Sequence, residues 1–202
     1  MKQLLLTLLT LFVLNISFGQ VQFGLKAGLN VANIKDESPN NSQSRIGYHF
    51  GGLLQWKLAD KVLLRPEFLY SVKGYRSPSI QFEGTATTSL NYVNLPIFFG
   101  FRPVQNLLVL AGPELGYLTS ARSKLNRTSR DVSNIYREFD IGADLGLAYE
   151  ATRNIGIELR YNYGFKGLVN VVYADQNGNI TGQGKTGANR VFQIGVCYLL
   201  TK

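Results

Sequence analysis

The chain has little of what most enzymes and soluble receptors rely on. It holds one cysteine (Cys197), one histidine (His49) and one tryptophan (Trp56), and charged residues make up only 17% of its 202 positions. A lone cysteine excludes an internal disulfide. One histidine without a second, and without a cysteine pair, leaves no zinc-type donor set, and neither a metal nor a cofactor is expected. No nucleophile elbow, phosphate loop or dinucleotide glycine pattern occurs. Beyond the N-terminus no apolar run reaches eighteen residues, so no helix long enough to cross a bilayer is encoded there. If this chain enters a membrane it must do so as a closed barrel, the other fold that satisfies every backbone polar group in lipid. Lys and Arg outnumber Asp and Glu by 21 to 13, a formal charge of +8. These bases are scattered over loops and strand faces instead of clustering on one element, which argues against a nucleic-acid partner.

What is abundant points the same way: 21 glycines, 11 tyrosines and 12 phenylalanines. Residues 1–19 carry Lys2, an apolar run from Leu4 to Leu14, and Ser17-Phe18-Gly19 as a small-x-small cleavage site. This reads as a signal peptide, with residues 20–202 as one mature domain. Within it, residues 139–164 display the plan. Ile141, Ala143, Leu145, Leu147 and Tyr149 alternate with Gly142, Asp144, Gly146, Ala148 and Glu150. After a short turn, Ile155, Ile157, Leu159, Tyr161 and Tyr163 alternate with Gly156, Glu158, Arg160, Asn162 and Gly164. A two-residue period with one greasy and one polar face is a strand between unlike media.

Eight such runs are predicted, at 22–32, 45–56, 61–73, 88–101, 107–118, 139–150, 155–164 and 189–200. Each is about the nine to eleven residues that a tilted strand needs to cross a bilayer. The connections alternate strictly: 33–44, 74–87, 119–136 and 165–188 are long, whereas 57–60, 102–106 and 151–154 are short. Short inner turns, long outer loops and an even strand count predict an all-β, eight-stranded antiparallel up-and-down transmembrane β-barrel in a bacterial outer membrane, with the mature N-terminus in the periplasm. Aromatic residues near both ends of the runs form the expected girdles. Pro96 and Pro113 predict a bulge or a broken pair, because proline cannot donate to a ladder.

Several segments resemble the PorT-like outer-membrane β-barrel family common in Bacteroidota: Gly24-Leu25-Lys26-Ala27-Gly28-Leu29-Asn30, Tyr92-Val93-Asn94-Leu95-Pro96, Ala111-Gly112-Pro113-Glu114-Leu115-Gly116 and the run from Phe139 to Gly146. The resemblance covers the mature chain and implies an eight-stranded outer-membrane barrel without a catalytic motif. PorT itself belongs to a protein-secretion system, so a place in an envelope or secretion assembly is one expectation.

Two residue sets are candidates for function. Lys26, His49, Arg65, Glu67, Glu114, Asp144, Glu158 and Arg160 fall on the inward rows. An eight-stranded barrel is just wide enough for side chains to fill, so these groups are expected to pair into an interior network, not to line a pore. Arg122, Lys124, Arg127, Arg130 and Arg137 crowd the third long loop, where they could meet outer-membrane lipid and the phosphates of lipopolysaccharide; a solvated loop is the plainer account. In the fourth loop Asn177-Gly178 suits a tight turn and predicts a β-ribbon. The expected role is structural or partner-binding through the outer loops, with another envelope protein as partner and no enzymatic activity. Two alternatives stand beside it: a lipid-modifying barrel enzyme built on His49, Ser71 and Asp144, and a soluble lipocalin-like barrel with its apolar rows inside.

Overall fold

The computed structural model describes residues 21–35, 42–78, 84–165, 167–174 and 180–200; the expected signal peptide and the expected Asn177-Gly178 turn lie outside these. Eight antiparallel strands form the ring: β1 (Val21–Lys35), β2 (Gln43–Ala59), β3 (Val62–Pro78), β4 (Thr85–Val104), β5 (Leu107–Leu125), β7 (Phe139–Glu150), β8 (Ile155–Gly164) and β11 (Ala188–Leu200). Each pairs with its neighbours in chain order, and β1 pairs with β11 while β4 pairs with β5, so the up-and-down sheet closes without an edge. Three short strands stand outside the ring: β6 (Thr128–Asp131), hairpinned onto β5, and the ribbon of β9 (Val169–Ala174) with β10 (Ile180–Thr186). The ribbon expected in the fourth loop is present, but as a separate two-stranded sheet.

The alternation decides which face is which. Leu145 (61% exposed), Ile157 and Ile194 stand on the outside, whereas Lys26 (3%), Glu114 and Arg160 are buried within. A soluble barrel would show the reverse. The outer surface presents one band of Leu, Ile, Val, Phe and Tyr, far larger than a water-soluble monomer exposes and of the kind a lipid-facing belt requires. Among the described residues three depart from the rule: Val72 and Gly74 on the outward row of β3 and Ala188 on that of β11 are buried. Val72 lies at a seam where the β2–β3 register slips by one residue between Ser44 and His49. There the walls crowd: a Cβ on Gly47 would lie 2.0 Å from the Val72 carbonyl oxygen.

The strands are longer than their hydrophobic patterns at the end bearing the long connections. β2 and β3 run 17 residues, β4 20 and β5 19, against 12 in β7 and 10 in β8. Much of what reads as loop at 74–87 and 119–125 is therefore strand. Once a strand leaves the hydrocarbon its outward face is no longer greasy, so the period-two signal stops while the hydrogen-bonded ladder continues. The barrel wall is consequently tall on the β2–β5 side and low on the β7–β8 side. Along the tall wall one bulge matters. Tyr92 pairs with Leu118 but Asn91 with Ser120, so Thr119 is an extra residue in β5. Before it, odd-numbered residues of β5 face out; after it, even-numbered ones do. At Pro96 and Pro113 there is no bulge, but the expected break is present: the β4–β5 register is the same at Pro96↔Glu114 and at Phe99↔Ala111 with the pairs between them missing, and the β3–β4 ladder lapses between Pro66↔Ile97 and Leu69↔Asn94.

Candidate functional site

The barrel interior is built in layers. At the short-turn end it is filled by Leu63, Phe98, Leu108, Leu110 and Ala148 beside Leu53, Cys197 and Leu199. At the long-loop end Ile34, Leu90, Leu118, Ala121, Tyr136 and Leu168 pack together with Tyr92. Tyr136 and Leu168 come from the connections and lie over the mouth: the Arg137 N–H donates to the Leu168 carbonyl at 2.9 Å, and the Tyr75 and Tyr136 hydroxyls meet at 2.8 Å. Ionised groups occupy the space between the two apolar layers.

Lys26, Arg65, Glu67, Glu158 and Arg160 form one cluster. Arg160 holds Glu67 through both terminal nitrogens, at 2.8 and 2.5 Å, and reaches Glu158 at 2.8 Å. Lys26 donates to Glu158 at 2.5 Å, and Arg65 contacts Glu158 through its terminal nitrogen and Glu67 through Nε. The Arg160 guanidinium also stacks over Phe98, 4.2 Å from its centroid, which ties the charged layer to the apolar one below. Two carboxylates thus sit among three cations. Removing such groups from water is costly, and the arrangement holds because nearly every lone pair has a donor.

Glu114 and Asp144 belong to a second cluster nearer the mouth. Glu114 Oε1 accepts from Lys73 Nζ at 2.8 Å, Asn94 at 2.7 Å and Asn162 at 3.2 Å. The same Asn162 amide donates to Asp144 at 2.6 Å, and Asn189 donates to Asp140 at 2.6 Å. Lys73, Asp140 and the asparagines were not among the residues singled out in the sequence. Their signal was present, since Lys73 continues the inward row of Arg65 and Glu67, and Asp140 precedes Asp144 on the inward row of its strand.

His49 lies beside the first cluster, but no described hydrogen bond joins it to either one. Its Nδ1 meets Asn30 Oδ1 at 2.8 Å; an amide oxygen can only accept, so Nδ1 carries the proton. Asn30 in turn donates to Ser71 Oγ and to the Tyr48 and Val72 carbonyls, bridging the seam where the β2–β3 ladder slips. The hydrogen bonds of His49, Ser71 and Asp144 thus run to Asn30 and Asn162, and no described bond makes them a relay. The imidazole fits only because Gly28 and Gly195 leave room. A Cβ on Gly28 would lie 2.6 Å from His49 Cε1 and 2.2 Å from the Ile194 carbonyl oxygen. We expect Gly28→Ala to lower stability by about 1–3 kcal/mol through overpacking, as measured by urea unfolding from lipid vesicles; an unchanged midpoint would mean that the wall yields there.

The five basic loop residues are not brought together. Arg122 and Lys124 follow the bulge, so both face outward on β5, opposite Asp131 and Ser129 of β6. Arg130 pairs with Ser123 on the other face, and Arg127 sits in the turn beside Asn126, whose φ of 52° is a left-handed conformation that asparagine tolerates. Arg137 points a terminal nitrogen at the Gly167 carbonyl. The Ser133 N–H donates to Asp131 at 2.8 Å, and this hydrogen bond holds the Asp131 carboxyl below its usual range.

An edgeless ring of eight strands, greasy outside and ionic within, defines a small outer-membrane-type barrel. Residues 15–170 match the model of the outer membrane protein beta-barrel domain, and the chain belongs to that family. No curated protein matches it. Among solved structures the fold is similar to Neisserial surface protein A (NspA), with 14% identity and a TM-score of 0.55 over 87% of this chain and 96% of that one. It is also similar to Ail, the attachment invasion locus protein of Yersinia pestis, solved in complex with the heparin analogue sucrose octasulfate, with 12% identity and a TM-score of 0.51 over 90% and 99%. A third similar structure is a major outer membrane protein from Thermus thermophilus, with 14% identity and a TM-score of 0.51 over 89% and 99%. At these identities the likeness concerns the fold alone. It agrees with the strand count, and the family match agrees with an outer-membrane location.

Proposed function

We propose that this barrel is a non-enzymatic, non-conducting outer-membrane protein that works by contact, presenting its tall wall and covered mouth to another component of the envelope. Its long-loop end faces outward and its N-terminus the periplasm. The observation that carries this reading is the filled interior: paired ions lie between an apolar layer at each end, which leaves the outer surface as the place where chemistry can be recognised. Kinship with the PorT-like group, and with it a place in a secretion assembly, belongs to the same proposal and is supported by the segments quoted above. A lipid-modifying activity is less favoured, because no described hydrogen bond joins His49 to Ser71 or Asp144, and its second ring nitrogen, Nε2, is buried beside Gly195 without a nucleophile bonded to it.

Two measurements test it. In planar bilayers the purified protein is expected to give no steady conductance, and stable voltage-independent steps would refute the filled-interior reading. Affinity capture of the intact protein from detergent-solubilised membranes should recover an envelope protein. That recovery should be lost when β6 and the β9–β10 ribbon are replaced by a short turn, with the barrel still assembled. Capture that is indifferent to this replacement would count against the contact role.

A further inference from the structure

Above the aromatic belt, the tall wall carries a surface of a different kind. The outward residues Phe50, Tyr70, Val93, Tyr117 and Phe139 form one continuous cross-strand row, with Phe50 and Tyr70 rings 5.5 Å apart and Tyr117 and Phe139 rings 5.4 Å apart. This row marks the edge of the hydrocarbon. Beyond it the outward face of β4 and β5 changes at once, whereas that of β1 and β2 stays apolar through Tyr48 and Ile46. Asn91 pairs with Ser120, its amide donating to the serine hydroxyl at 2.8 Å. Ser89 comes next, beside Arg122, and then Arg76, Thr87 and Lys124 in a single row. Small amide and hydroxyl side chains thus make a low shelf on β4, bordered by Arg76 on one side and by Arg122 and Lys124 on the other.

The three bases are exposed, and among the described residues none forms an ion pair. The one acid beside them, Asp131, is engaged by the Ser133 N–H. Arg122 and Lys124 are two residues apart on one strand, about 7 Å, and Arg76 lies two strands from Lys124, about 10 Å. Asp131, opposite Arg122, offsets one of the three charges; the remaining two, held that close, raise one another's energy unless a further anion joins them. The shelf is continuous with the lipid-facing belt, so what reaches it is a membrane component, apolar below and anionic above.

We propose that this shelf docks a phosphorylated glycolipid of the outer leaflet, the lipid anchor of lipopolysaccharide. Its acyl chains lie against the belt below Tyr70 and Tyr117, its sugars on Ser89, Thr87, Asn91 and Ser120, and its phosphates between Arg76, Arg122 and Lys124. Guanidinium groups suit phosphate because their forked donors match its oxygens. The extra residue Thr119 is what turns Arg122 and Lys124 outward. Arg127, Arg130 and Arg137 take no part. The proposal rests on the long-loop end facing outward.

The test uses the full mature chain in detergent micelles, titrated with fluorescent lipopolysaccharide. The triple variant R76A/R122A/K124A is expected to bind about tenfold more weakly or worse, while R127A/R130A stays within about twofold of the wild type. Enzymatic dephosphorylation of the lipopolysaccharide should bring the wild type down to the triple variant. Undiminished binding by the triple variant, an equal loss in R127A/R130A, or equal affinity for phosphatidylglycerol would each overturn the proposal; the compact barrel band in unheated gels certifies folding of every variant. Orientation is tested apart from this, by labelling Ser129→Cys on intact cells with an impermeant maleimide. Labelling supports the outward placement. Failure to label overturns the docking of an outer-leaflet lipid through its orientation even if micellar binding persists.

Discussion

Substituting Arg160 by methionine is expected to destabilise the barrel by about 3–5 kcal/mol, the cost of leaving buried carboxylates without their main partner. Arg160 donates to Glu67 through two nitrogens and to Glu158 through one, so its removal strands Glu67 with only Arg65 and, at 3.7 Å, Lys26. Urea unfolding from lipid vesicles measures the loss. A double-mutant cycle with Glu67→Gln should show a coupling of about 0.5–3 kcal/mol, the double variant falling short of the sum of the singles. A loss under about 1 kcal/mol for Arg160→Met would mean that water reaches the cluster and screens it.

The second large effect concerns the opposite face. Leu145→Arg places a guanidinium in the hydrocarbon, midway along β7 between Ile141 and Tyr149 on the outward row. A cost of about 2–4 kcal/mol is expected there, falling towards zero for the same change near the interface, for instance at Phe139. The pair separates a membrane barrel from a soluble one. If Leu145→Arg and Phe139→Arg were equally harmless, the apolar belt would not be lipid-facing and the reading of both faces would fail.

Sequence patterning reveals the faces but not the partners. Lys26 and Glu158 each announce themselves as inward by alternation, yet they lie 132 residues apart. Their contact follows from ring closure and register, which no local period encodes. Division of the inward charges into two clusters is hidden for the same reason, and so is the part of Lys73, which links Glu114 to the mouth. Irregularities are the other blind spot. The slip between β2 and β3 buries Val72 against expectation, because one unmatched residue draws two walls together. Likewise the third long loop reads as a single cluster of arginine and lysine, when β5 in fact continues through it and sorts those side chains onto two faces and a turn. Loop lengths, by contrast, are legible because a hairpin at one end needs only two residues, as at Asp60–Lys61 and Gln105–Asn106.

Thr119 governs what the tip of the tall wall displays. Insert or delete a single residue between Leu118 and Ala121 and the parity of everything beyond it inverts: Ala121 and Ser123 would be shown to the surroundings, and two cations would be driven into the throat against Leu90 and Tyr136. Selection on this barrel can therefore act on chain length as sharply as on side-chain identity. Homologous tips that keep their bases but differ here by one position would wear a different coat.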